Sequence, residues 1–229
     1  MHFDSSFYKT AAVCSALSAV TTLLLIFLPN WFLPIEGFEA RMGRVEEPAY
    51  VLRSWVYLLH PFLVLMASLA VAMRIRKLAS AAAIVGLLGF VLWAFTEAAQ
   101  QTLTLYAFDK WRVAYATADE MLRSQIRVGA MIYDGLWDAM YFLLLIAFSI
   151  GNSCFGWALV RQQGLTRIVG YCFLAAVLVT LQYVFAELQW PTLPEQIGAW
   201  IYPAIQPLGR ALIGLWLWRV ADETKPLAG

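Results

Sequence analysis

Long apolar runs alternate with short polar interruptions along the chain. Six of the runs, at about residues 10–28, 54–73, 78–97, 131–160, 168–187 and 197–220, reach the length of a membrane-spanning helix, which needs about 20 residues. The pattern predicts an all-α fold: a polytopic membrane bundle of six transmembrane helices in a single integral membrane domain, residues 1–229. The first run follows Lys9 and exceeds the apolar core of a usual signal peptide. Pro29-Asn30-Trp31 stands after it in place of a small-residue cleavage site, so it is read as a retained anchor. From Pro29 to Arg53 the prolines at 29, 34 and 48 and the glycines at 37 and 43 argue for a loop. Residues 98–130 are the hardest to assign. With no Pro or Gly before Gly129, helix is expected to continue past the membrane surface there, and the mixture of aromatic and charged residues suits an interfacial helix. The fourth run is longer than a bilayer needs and is expected to project beyond it.

Charge orients the runs. Arg74-Ile75-Arg76-Lys77 separates the second and third, Arg161 to Arg167 separates the fourth and fifth, and Arg219 closes the sixth. Six spans with both termini cytoplasmic put all these basic sites inside, as the positive-inside rule asks. The acidic first loop and the segment Trp190–Glu195 then face outward.

Composition narrows the class further. The chain is 62% hydrophobic and 14% charged, with a net charge of +1, where soluble domains carry about 25% charged residues. No basic run offers a nucleic-acid surface. Cys14, Cys154 and Cys172 are isolated in apolar segments, and His2 and His60 are the only histidines. No structural zinc, disulfide framework or bis-histidine haem is expected, and no cofactor is implied. Asp134 and Asp138 have the spacing of metal carboxylates but lack a Glu-x-x-His partner, so no metal site is assigned.

The polar residues within the runs carry the candidate chemistry. A helix rises about 1.5 Å per residue, which places Arg210, nine residues before Arg219, about 13 Å above the inner surface. An arginine at that depth costs about 2.5–3.5 kcal/mol and must face protein, water or a ligand. The same ruler puts Asn152 at the height of Arg210, His60, Gln182 and Gln206 in a layer above it, and Glu97, Glu187 and Asp138 at the outer boundary. Helical side chains lean toward their own N-terminus, so Glu97 and Glu187 lean toward Arg210 and Asp138 leans outward. Polar residues share faces on five runs: Arg53, Tyr57 and His60; Trp93 and Glu97; Asp134, Asp138, Tyr141 and Asn152; Thr180, Tyr183 and Glu187; and Tyr202, Gln206 and Arg210. Together they predict a cavity that opens outward and narrows toward Arg210 and Asn152.

Each candidate has two readings. Arg210 is either an anchor for a carboxylate, phosphate or lipid headgroup, or one half of an interhelical pair with Glu187 or Glu97. Glu97 and Glu187 are either solvated at helix ends or a half-buried pair able to act as an acid. His60 is either a packed, hydrogen-bonded imidazole or a proton carrier. Gln206, Gln182, Tyr183, Asn152, Asp138, Trp137 and Trp93 complete the candidate ligand shell, and the two tryptophans have the chemistry to stack on a cation. Ala12 and Ala16, with Ser15 and Ala19, form a small-residue face suited to close helix packing or to docking a partner protein.

Three function classes fit. The leading one is a membrane protein whose outward-opening pocket binds or processes a small amphiphilic or lipid-like ligand, with Glu97, Glu187 and His60 as candidate catalytic groups and enzyme activity left open. The second is a transporter or substrate-capture subunit. The third is a structural or accessory subunit of a membrane complex, in which Arg210 is simply paired. The bilayer is a partner in all three.

Gly156-Trp-Ala-Leu-Val-Arg161, Gly164-Leu-Thr-Arg-Ile-Val-Gly170 and Leu212-Ile-Gly-Leu-Trp-Leu217 give the second half a layout that resembles a bacterial family of six-helix integral membrane proteins of unknown function. The resemblance implies a six-helix fold and a multi-pass location in the cell membrane, the bacterial inner membrane, and no activity.

Overall fold

A computed structural model describes residues 3–32 and 36–224, with residues 195–199 and 202 described by backbone alone. The described residues form helices and their connections, with no strand among them. Helix α1 (Ser5–Phe27) starts at Asp4, whose carboxylate accepts from the Phe7 N–H at 2.9 Å, satisfying one of the free donors of the first turn. The first loop proves partly helical: α2 (Gly37–Gly43) sits within it, flanked by short 3-10 turns. Helix α3 (Pro48–Ile75) begins at Pro48, well before the expected residue 54. Proline fits the first helical position, where its missing N–H is not needed, so Pro48 starts the helix instead of breaking the chain. Pro61 lies inside α3, and the helix runs on through it.

Helix α4 (Ser80–Leu103) continues through a π-helical turn at Thr104–Phe108 into α5 (Asp109–Thr117). Helix α6 (Glu120–Leu159) begins at the Asp119 cap, whose carboxylate accepts from the Leu122 N–H at 2.8 Å. Residues 98–130 are therefore two helical extensions joined by a short turn. A tight connection leads to α7 (Gly164–Glu187), where Gly164 takes a φ of +59° that other residues rarely adopt. Helix α8 (Glu195–Glu223) closes the chain and contains Pro203 and Pro207. The helices at Ser5–Trp31, Pro48–Ile75, Ser80–Thr117, Glu120–Leu159 and Gly164–Glu187 are long and apolar enough to cross a membrane.

Six long helices pack in a ring, in the order α1, α3, α4, α6, α7, α8 and back to α1. Small residues set three of the seams. Gly89 lets α4 meet the α6 backbone so closely that an added Cβ would stand 2.8 Å from the Ala147 carbonyl oxygen. Gly170 does the same between α7 and α6, 2.6 Å from the Val160 nitrogen, and Gly214 between α8 and α1, 3.0 Å from the Ala12 carbonyl oxygen. Ala12, Ser15 and Ala19 of the small-residue face are buried while Ala16 stays exposed, and the Ser15 hydroxyl donates to the Arg210 carbonyl across the α1–α8 seam at 2.7 Å. The seam between α7 and α8 is the loosest of the six. A Cβ on Gly209 would meet only Cys172, at 3.7 Å.

The two ends of the ring differ. At one, Arg74 pairs with Glu223 at 2.8 Å, Lys9 lies over the Trp218 ring, and the Trp216 indole donates to Thr166 at 3.0 Å. The basic residues of the inner-side expectation therefore collect here. At the other end, α2, α5 and the start of α6 form a cap with its own apolar centre of Met42, Phe108, Tyr115, Ile126 and Ala130. Polar links hold it together: Arg112 bonds to Asp109 at 2.7 Å and to Tyr50, Arg41 pairs with Asp134, and Arg127 pairs with Glu39 at 2.9 Å. The hydrogen bond that Arg41 donates to Asp134 pushes the pKa of its guanidinium above the ordinary value. Helix α3, about 40 Å long at 1.5 Å per residue, separates the ends.

Candidate functional site

All six ring helices contribute to a polar cavity of about 380 Å³. Arg210 and Gln206 come from α8, Glu97 and Trp93 from α4, and Arg53, Tyr57 and His60 from α3. Helix α7 adds Thr180 and Tyr183, α6 adds Tyr141, and α1 adds Thr22. The sequence placed most of these residues on common faces at helical spacing, and the ring turns those faces toward one space.

Glu97 departs from the depth ruler. It is 4% exposed and shares the cavity with Arg210, which is 9% exposed. The ruler took residue 97 as the end of a span, whereas helix continues through α4 and α5 to Thr117. Glu97 is therefore a buried mid-helix carboxyl and not a solvated helix end. The Arg210 charge acts on both Glu97 and His60.

Aromatic rings and one hydroxyl fix these groups. The guanidinium carbon of Arg210 lies 6.0 Å from the Trp93 ring centroid. The His60 ring meets Trp93 edge-on at 6.2 Å, and its Nδ1 is 2.7 Å from the Thr21 hydroxyl. Arg53 stacks over Tyr57 at 5.0 Å. Thr180 returns its hydroxyl to the Ala176 carbonyl at 2.8 Å. Pro207 has no N–H to donate to the helix one turn earlier, which loosens α8 beside Gln206.

The remaining candidates spread around this centre. Asn152 lines a pocket of about 40 Å³ that also touches Arg210 and Gln206, and its amide donates to the Phe148 carbonyl at 2.7 Å. Asp138 and Trp137 line a separate cavity of about 430 Å³ under the cap, beside Arg41, Asp134 and Arg112. Arg53 borders this cavity and the central one, so it stands between them. Trp137 stacks on Tyr141 at 5.5 Å. Gln182 does not line the central cavity; it borders a space between α7 and α8, where its side-chain oxygen accepts from the Leu193 N–H at 2.7 Å. Glu187 is exposed at the end of α7, away from the residues lining the cavity. The side chain of Tyr202 lies outside the described residues.

Sequence reasoning missed α1. Ser15, Ser18 and Thr22 are buried, and Thr21 holds His60. Their spacing of three and four residues was the available signal, hidden by the strongly apolar character of the helix around them.

A cation, a carboxyl and an imidazole thus converge with tyrosine hydroxyls on one space. This set can hold an anion and exchange protons with it. No family model, curated protein or solved structure matches the chain.

Proposed function

We propose that this is a six-span protein of the cell membrane, with α8 as the sixth span and both termini cytoplasmic, that binds a small anionic amphiphile in the central cavity. Collection of the basic connections at one end of the ring supports the orientation. The resemblance of the second half supports a bacterial inner membrane. The capped end then faces outward, and the central cavity opens toward it past Arg53.

One observation carries the reading: Arg210, Glu97 and His60, from three different helices, meet at a cavity of about 380 Å³. Ionisable groups inside a membrane are expensive and mark ligand or proton pathways. A purely structural ion pair needs no space of that size around it. Arginine is suited to phosphate and carboxylate because its planar fork of donors matches both. In this reading Arg210 anchors the negative head, Gln206 and Tyr183 orient it, and Glu97 and His60 exchange protons with it.

Equilibrium binding of butyl phosphate to the amphipol-stabilised protein tests this. Saturable binding that falls by at least about tenfold in Arg210→Met, or ~1.4 kcal/mol, supports the reading. Thermal melting checks that the variant remains folded, and Arg210→Lys keeps the charge if it does not. Equal binding in a folded Arg210→Met protein rejects the anchor role.

A further inference from the structure

The polar cavity has an apolar neighbour. Between α7 and α8 lies a groove of about 850 Å³, lined by Ala175, Leu178, Val179, Ala186, Pro203 and Ile205 among others. Tyr183 lines both spaces. The groove follows the loosest seam of the ring. Hydrogen bonds fix both ends of the groove: the Trp216–Thr166 bond joins α7 to α8 at the basic end, and the Gln182–Leu193 bond ties down the connection at the other. Leu178 is 67% exposed on its wall.

We infer that the α7–α8 groove is a side entrance from the bilayer and holds the hydrocarbon chain of the amphiphile whose head group Arg210 binds. This rests on the head-group reading above and adds the ligand's second half. Three features favour a hydrocarbon chain over a protein partner. The lining is mostly apolar, with Gln182, Tyr183 and Thr192 as its polar members. From Ala175 to Ala186 the groove runs about 16 Å along α7, close to the hydrocarbon depth of one leaflet, half of about 30 Å. It also meets a cavity whose charged groups call for a polar head, at the one tyrosine common to both. A chain lying there stays at lipid depth while the head turns past Tyr183 toward Arg210. The groove lies toward the capped end, so the lipid comes from the leaflet on that side.

The test compares butyl with octyl phosphate on the amphipol-stabilised wild type, Ala175→Phe and Ala186→Phe. Both positions line the groove, and neither lines the polar cavity. Burying one methylene is worth roughly fourfold in affinity, and part of that is lost to competition with amphipol. Octyl phosphate is expected to bind the wild type at least about tenfold more tightly than butyl phosphate. Either phenylalanine removes that gain and leaves butyl phosphate binding unchanged. Butanoate and octanoate, run in parallel, tell whether the head is a phosphate or a carboxylate. A wild type that binds both chain lengths equally, or a gain that survives both phenylalanines, overturns the entrance while the head-group reading stands. Butyl phosphate binding that ignores Arg210→Met overturns the head-group reading, and the entrance falls with it.

Discussion

Trp93 neighbours both Arg210 and His60: the guanidinium carbon lies 6.0 Å from its ring centroid, and the imidazole meets the ring edge-on at 6.2 Å. A cation near an aromatic ring is stabilised by about 0.5–2 kcal/mol, more as water is excluded. The ring therefore sets the position of both groups without neutralising either. Trp93→Phe keeps an aromatic surface but shrinks it. Anion affinity is expected to fall by about twofold to fivefold, roughly 0.4–1 kcal/mol, with the fold retained. Binding and melting measured on the same preparation check this, and unchanged affinity would show that the ring does not position Arg210.

The Thr21–His60 hydrogen bond joins α1 to α3 and is part-buried. Thr21→Val keeps the shape and removes the hydroxyl. The expected cost is about 1 kcal/mol of stability, seen as a lower melting temperature. Thr21→Ser, which restores the hydroxyl, should recover most of it.

The glycine seams make opposite predictions at two positions. Gly89→Ala forces a methyl against the α6 backbone, where no side chain can move aside. It should destabilise the bundle by about 1–3 kcal/mol. Gly209→Ala meets only Cys172 at ordinary contact distance and should be close to neutral. Equal losses at both positions would show that the α7–α8 seam is as tight as the others.

Under the cap, Arg112 is buried against Asp109 and Tyr50. Arg112→Met leaves the Asp109 carboxylate without its cation and should cost about 3–5 kcal/mol. Because the cap has its own apolar cluster, the loss should appear first as protease sensitivity between residues 104 and 130, with the ring helices still protected.

The helical pattern was legible because a span must be apolar over its whole length. The runs ending at Arg74, Arg161 and Arg219 appear as α3, α6 and α8, with their C-terminal ends close to the expected ones but α3 and α6 starting well earlier. Helix starts were harder to place, since Pro48 reads equally as a breaker or as a first helical residue. Within the site, Arg210, Gln206, Tyr183, Trp93, Glu97 and His60 share a cavity because each lay on a polar face that an apolar bundle has to turn inward. Glu187 has the same residue type and a similar expected depth, yet it lies outside the lining because α7 ends at it while α4 runs well past Glu97. That difference depends on where each helix stops, which a depth ruler based on span length does not contain. The α7–α8 groove left no mark in the sequence, since it depends on how closely two apolar helices approach.

Native mass spectrometry of the protein released directly from its membrane, for wild type and Arg210→Met, tests the central claim most directly. The account predicts a discrete bound species on the wild type, with the mass of an anionic amphiphile, that is absent from the variant. An empty cavity in both proteins, or the same species retained equally by both, would contradict it.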